Sequence, residues 1–270
     1  MATITAAMVK ELRARTDVAM MKCKKALEEC GGDMEAAVDF LRKTAGAAQD
    51  KKSERETKAG GIGLALGAGA GCLVQLACET DFVSGNDQFK AFVTALAEAA
   101  LAAGVETTEG LQGLTIDDQS FNDALAQQVQ KLGENIQPVR VDRLTGEVVT
   151  GYNHGGRVAT LVGGSGDTGA LRSLAMHIAA ANPAPLALDR DGIDADLVAK
   201  ERDIIAESPD VQSKPEQIRP KIIDGKMGRF FKERVLLEQE MLVSNEDGKN
   251  VGAWAKGQGL TITGYVRSDV

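Results

Sequence analysis

Aromatic residues are scarce in this chain: seven Phe, two Tyr and one Trp in 270 residues, 4% of the whole. A core must therefore be assembled from Ala, Val, Leu and Ile, and each Phe asks for its own explanation. Basic residues are short as well. With 31 Lys and Arg against 39 Asp and Glu, the net charge is −8. That leaves no cationic excess to displace counterions from a phosphate backbone, which argues against direct nucleic-acid binding. The balance suits a cytoplasmic protein whose partners are other proteins. No apolar run is long enough to span a bilayer, so no membrane association is expected. The N-terminus leads straight into an amphipathic helical pattern, not into a leader.

Side chains for covalent or metal chemistry are equally few. Cys23 and Cys30 can share a helix face but lie too far apart along it to bond, and Cys72 and Cys78 share the parity of one strand face. Four buried or half-buried free thiols in a reducing compartment are expected. Zinc needs closer pairs, and neither His154 nor His177 lies near a Cys in sequence. There is no nucleophile elbow and no metal-spaced histidine pair. His177 sits in an apolar, Ala-rich helical pattern and reads as a packing residue, whereas His154, before Gly155-Gly156, reads as part of an exposed turn. The Gly67–Gly71 run lacks the Lys-Ser/Thr of a phosphate loop and falls between strands, and 163–167 reads as a tight turn before a helix. No catalytic residue, cofactor or metal is expected. Protein binding is the leading class, and an enzyme built on the Gly-rich turns would have to bind nucleotide on its own.

Local patterns divide the chain. Residues 1–44 read as three short helices. Thr5 caps the first, which buries Met8, Val9 and Leu12; Met20, Met21, Cys23, Lys24 and Leu27 form the second, with one of the two Met packing inward; Asp33 caps the third, after the Gly31-Gly32 stop. Residues 45–60 turn abruptly charged and read either as a helix extension or as a mobile linker. From 61 to 190 the order strand, turn, strand, loop, Ala-rich helix occurs twice: strands 61–69 and 72–78 with helix 87–103, then strands 147–153 and 157–163 with helix 168–181. A helix over 121–136 and an extended Pro138–Val141 lie between. The expected fold class is α+β, with a core of two related parts, 61–146 and 147–190 joined by 236–270. Residues 191–235 read as an antiparallel helical hairpin, with Leu197, Val198, Ile204 and Ile205 on one stripe and Pro220 either starting or kinking the second helix. A last strand is expected over 261–267.

Glu79-Thr80-Asp81-Phe82 follows the apolar strand 72–78 and precedes the turn-forming Ser84-Gly85-Asn86-Asp87. A Phe at such a loop is either a plug for its own core or a wedge for a partner.

Three stretches together resemble the bacterial elongation factor Ts family, the nucleotide exchange factors for elongation factor Tu. They are Leu12–Leu27 with Met20-Met21-Lys22-Cys23-Lys24-Lys25-Ala26-Leu27; Thr80-Asp81-Phe82-Val83 with Asn86, Asp87 and Phe89; and Met176–Ala180 backed by Gly225-Lys226 and Phe230-Phe231. The resemblance implies a ubiquitin-associated-like N-terminal module, a duplicated core and a helical hairpin used for homodimerisation. It implies partner contacts at Arg13, Met20, Met21 and Lys24; a wedge at Thr80, Asp81 and Phe82; further contacts at Leu132 and Gly133 within Leu132-Gly133-Glu134-Asn135, at His154 within Tyr152-Asn153-His154-Gly155, and at Leu242 and Val243. The implied role is promotion of GDP release from elongation factor Tu, and the alternative is a binding adaptor without exchange activity. The sequence departs from the family pattern in Asp17-Val18-Ala19, where Gly-Ala-Gly is usual, and in Lys22, where Asp is usual. Asp17 is then expected to cap the second helix.

Overall fold

Side-chain caps written into the sequence start most of the helices. The computed structural model describes residues 3–243 and 248–270, so 244–247 of the 236–270 stretch lie outside the described residues. Thr5 Oγ1 accepts the Met8 N–H at the head of α1 (Ala6–Thr16), and Asp33 accepts the Ala36 N–H at the head of α3 (Met34–Asp50). Between them α2 (Met20–Glu29) ends at Gly31 and Gly32, whose φ of 61° and 91° reverse the chain. Leu12, Val18, Cys23, Leu27, Ala37 and Leu41 form the small core of this bundle.

Asp17 does not cap α2. It closes α1 instead, at φ 55°, with its N–H donating to Arg13 O at 2.8 Å; α2 starts at Ala19 without a side-chain cap. Only three residues join the two helices, and a left-handed residue at the end of α1 turns the chain fastest. In the charged stretch after the bundle, the helix extension holds as far as Asp50. Turns follow, in which Ser53 O and Arg55 O accept from the Asn135 side chain at 3.3 and 2.8 Å.

The first sheet is antiparallel, in the order β1 (Ala59–Gly67), β2 (Ala70–Cys78) and β5 (Ile136–Thr145). After β2 come the one-turn α4 (Asp81–Ser84), α5 (Asp87–Ala103), the two-residue strands β3 (Thr115–Ile116) and β4 (Gln119–Ser120), and α6 (Phe121–Leu132). Helix α6 stops four residues short of the expected 136, because Gly133 at φ 84° supplies a left-handed cap. Helix α5 lies on a nearly bare strand: a Cβ on Gly63 would fall 2.2 Å from Val93 O, and one on Gly61 2.8 Å from the Phe89 ring. Leu76, Phe89, Leu96, Phe121, Val129 and Ile136 fill the core between sheet and helices, and α3 packs against α6.

The second sheet repeats the plan, with β6 (Val148–His154), β7 (Val158–Ser165) and, after a long excursion, β8 (Thr261–Asp269), again antiparallel. Helix α7 (Thr168–Ala180) covers one face, joined by α11 (Val251–Gly257); Leu171, Leu174, Ile178, Leu236 and Trp254 are buried there. The two sheets meet through Ile62, Leu73, Val149 and Leu161. Backbone also crosses between them: Ile62 N–H donates to Gly156 O, and the Asn153 amide donates to Ile62 O, both at 2.8 Å. Mixed helices and antiparallel sheets make this an α+β fold.

The excursion between α7 and β8 carries α8 (Ala195–Glu207), the short α9 (Pro209–Gln212) and α10 (Arg219–Arg234). Pro220 lies in the first turn of α10, where its missing N–H has no helical partner to lose, so it starts the helix without a kink. The expected apolar stripe on α8 splits in two. Val198 and Ile205 pack inward with Val211 and Met227, while Leu197 and Ile204, one helical register over, stay in water. Among the described residues no helix is long and apolar enough to cross a membrane.

Candidate functional site

Strand β2 ends at Cys78, and the next residues are held from both sides. The Thr80 N–H donates to Glu134 Oε2 at 3.0 Å, and its hydroxyl donates to Glu134 Oε1 at 2.6 Å. The same hydroxyl accepts the Val83 N–H and so caps α4. Glu79 Oε1 accepts the Asn135 N–H at 2.7 Å and faces the Arg55 guanidinium at 3.4 Å. Beneath the loop the Cys78 thiol donates to Thr80 O at 3.3 Å; burial, and then the charge of Glu134, push its pKa up to about 11. Val83 is buried, and Asn86 caps α5 by accepting the Gln88 N–H.

Between these anchors stands Phe82, 87% exposed. The other six Phe are buried or half-buried, so in this aromatic-poor chain the one Phe left in water sits on a loop with fixed ends. The plug reading is removed. Asp81 beside it is exposed and, among the described residues, forms no ion pair.

The other expected contact residues lie on separate elements. Met20 and Met21 are both exposed, at 46% and 73%, so neither packs inward as expected. The buried face of α2 is Cys23, Ala26 and Leu27, and Val18 from the preceding turn already fills that end of the bundle. Arg13 and Lys24 are exposed, and Lys24 faces Glu28 across one turn at 3.7 Å. The α1–α2 turn reaches the loop region through Gln88, whose amide donates to Asp17 Oδ2 at 3.1 Å. Leu132 is half-buried against the first core and Gly133 is exposed just before Glu134. His154, exposed at the end of β6, pairs its Nδ1 with the Tyr152 hydroxyl at 2.9 Å. A cavity of about 230 Å³ lined by Ser84, Lys90, Asn153 and Gly155 sets the His154 turn beside the loop.

Leu242 and Val243 belong to the second half. Leu242 is 58% exposed, and its N–H donates to His177 Nδ1 at 3.2 Å; Val243 packs half-buried against the second core. That bond fixes the tautomer, leaving Nε2–H to donate to Gln239 Oε1 at 3.1 Å. The Gln239 amide in turn donates to the Pro183 and Glu233 carbonyls. Burial holds the His177 pKa below its ordinary value. A fully partnered neutral imidazole is structural, as its apolar helix indicates.

Two residues central to the loop carry no signal of their structural role in the sequence. Glu134 and Asn135 grip Thr80 and Glu79 across more than fifty residues, a pairing no local spacing encodes. At the head of α7, Asp167 accepts the Ala170 N–H at 2.8 Å and so occupies the position an anion would take.

The chain resembles known proteins along its whole length. The family model described as Elongation factor TS matches residues 79–270. Elongation factor Ts of Psychrobacter arcticus is 41% identical over 271 residues, covering 99% of this chain and 90% of that protein. Elongation factor Ts of Dinoroseobacter shibae is 41% identical over 274 residues, covering 99% and 92%, and that of Pasteurella multocida is 40% identical over 271 residues, covering 100% and 93%.

Proposed function

Because the chain belongs to the elongation factor Ts family, we propose that it is a guanine-nucleotide exchange factor: it binds elongation factor Tu·GDP in the cytoplasm and promotes GDP release during translation elongation. It acts by protein binding, without covalent catalysis. Residues 1–44 serve as a ubiquitin-associated-like module, 45–60 as its link, and 61–146 with 147–190 and 236–270 as the two core subdomains. Residues 191–235 form the hairpin through which two copies pair.

The observation that carries this reading is Phe82, 87% exposed on a loop tied down at both ends. A GTPase holds GDP through a metal ion and a cradle of backbone N–H groups. An exchange factor need only bind the nucleotide-free conformation more tightly, and by linkage GDP then weakens the factor's own binding equally. Phe82 enters a pocket between helices of the GTPase domain and holds them apart, and Asp81 meets N–H groups exposed there. Burying one Phe supplies roughly 2–3 kcal/mol, or about one to two decades of nucleotide affinity. Further contacts must contribute the rest: Arg13, Met20, Met21 and Lys24 from the module, Leu132, Gly133 and His154 near the loop, and Leu242 and Val243 in the second half.

Stopped-flow release of fluorescent GDP from elongation factor Tu tests this. Phe82→Ala is expected to slow factor-stimulated release at least tenfold, on the scale of its lost apolar burial, with an unchanged circular dichroism spectrum. Glu134→Ala leaves Phe82 in place but frees Thr80, and is expected to slow release as well. Release unchanged in both variants would sink the wedge. Association that added GDP does not oppose would favour the adaptor reading instead.

A further inference from the structure

Five cations converge where the N-terminal helices meet the end of α6, in a molecule whose net charge is −8. Lys22, Lys25, Lys51, Lys52 and Arg55 line a cavity of about 460 Å³, and among the described residues no carboxylate lines it. Lys22 Nζ donates to Gln130 O at 3.3 Å and Lys52 Nζ to Val129 O at 3.2 Å, both in the last turn of α6. Each ammonium has three donors, so each keeps others for a ligand. Lys25 and Lys51 are exposed and form no ion pair among the described residues.

Burial lowers the pKa of Lys22 and, together with the nearby charges of Lys22 and Arg55, that of Lys52. The carboxylates that offset Lys52 are Glu79 and Glu134, and both are engaged, Glu79 by Arg55 and Asn135 and Glu134 by Thr80. Like charges are thus crowded at a partly dry site, offset only by Glu79 and Glu134, which already hold other partners.

The cavity is lined as well by Phe40, Leu41, Thr44 and Ala47 of α3, of which Phe40 is half-buried and Leu41 buried. We propose that this cavity binds a nucleoside polyphosphate, with phosphates against the lysines and the planar base against the half-buried Phe40 ring. Its volume is that of a small-molecule site, too small for a folded partner element. The cations face one chamber, whereas nucleic acid is held by a track of them. A ligand here touches α2, α3, the 51–55 turn and α6 together, so it fastens the bundle to the core. It also draws on Arg55, whose partner Glu79 adjoins the Phe82 loop.

The test is equilibrium dialysis of the whole chain, without elongation factor Tu, against labelled ATP and separately against inorganic tripolyphosphate. Saturable one-site binding of ATP, tighter than that of tripolyphosphate, is expected. Lys25→Glu and Lys51→Glu should each weaken it about tenfold, the scale of one lost charge-assisted contact. Both side chains are exposed and unpaired, so both variants should melt as the parent does, while ATP should raise the melting temperature of the parent alone. Four results would overturn the proposal. They are no saturable uptake, uptake that neither substitution alters, tripolyphosphate binding as tightly as ATP, and retention of a hexaglutamate peptide where ATP is not retained.

Discussion

Asp17 stands in a backbone conformation that L-residues avoid, at φ 55°. Asp tolerates the left-handed region better than most residues, but glycine adopts it without a Cβ penalty. Asp17→Gly is therefore expected to raise the urea midpoint, by about 0.5–1 kcal/mol of stability. The gain is partly offset by loss of the exposed Gln88 bond. A lowered midpoint would mean that this bond outweighs the strain. His177 works in the opposite direction. Its pKa is lowered in the folded state by burial, so below its ordinary value of 6.5 the unfolded chain binds the extra proton more readily. Its contribution is fully present above that pH and is lost as pH falls towards the folded pKa, with a slope of at most about 1.4 kcal/mol per pH unit. Protonation also takes the acceptor from the Leu242 N–H. Denaturant melts from pH 7.5 to 5 should show the fall, and His177→Gln should flatten it; an equal fall in the variant would assign the effect to other groups.

At the scale of elements, local chemistry was legible wherever the cause is local. The Thr5 and Asp33 caps, the Gly31-Gly32 stop, the alternation through 72–78 and the recurrence of strand, strand, helix all lie within a few residues of their effect. Expectations missed where the folded conformation decides, whether the deciding residue is near in sequence or far. The amphipathic pattern of α6 runs on towards 136, and only the conformation of Gly133 ends it. One of the two Met of α2 was expected to pack inward, but both are exposed and Val18 is buried in the bundle core instead. The α8 stripe divided because one facing helix covers only part of it. The loop showed the same limit. Its residues were readable as a motif through resemblance, but exposure of Phe82 runs against the usual preference of Phe for the interior. The grip of Glu134 on Thr80 belongs to the folded chain alone.

At the scale of the molecule, the hairpin leaves and re-enters the second half at adjoining points. Leu186 N–H donates to Arg234 O and Leu236 N–H to Ala187 O, so the ends of 192–234 lie side by side. Removing that stretch should leave both sheets folded. It also removes Leu197, Ile204 and Ile218, apolar side chains left 40%, 54% and 45% exposed. If the hairpin pairs two copies as proposed, light scattering should report a larger species for the parent than for the deleted chain, and the proposed exchange activity should survive the deletion. Loss of exchange would show that the hairpin does more than join copies.

The bare strand under α5 bears on how a wedge can work at all. Forcing a partner's helices apart returns an equal force on the tool, and whichever body is softer gives way. Side chains between helix and sheet would act as a cushion, letting α5 and the loop at its head recoil. At Gly63 there is no cushion: peptide backbone meets the helix carbonyl of Val93 with no space for even a methyl group. Recoil along that line meets hard contact at once, so under the proposed wedge action the deformation would fall on the partner.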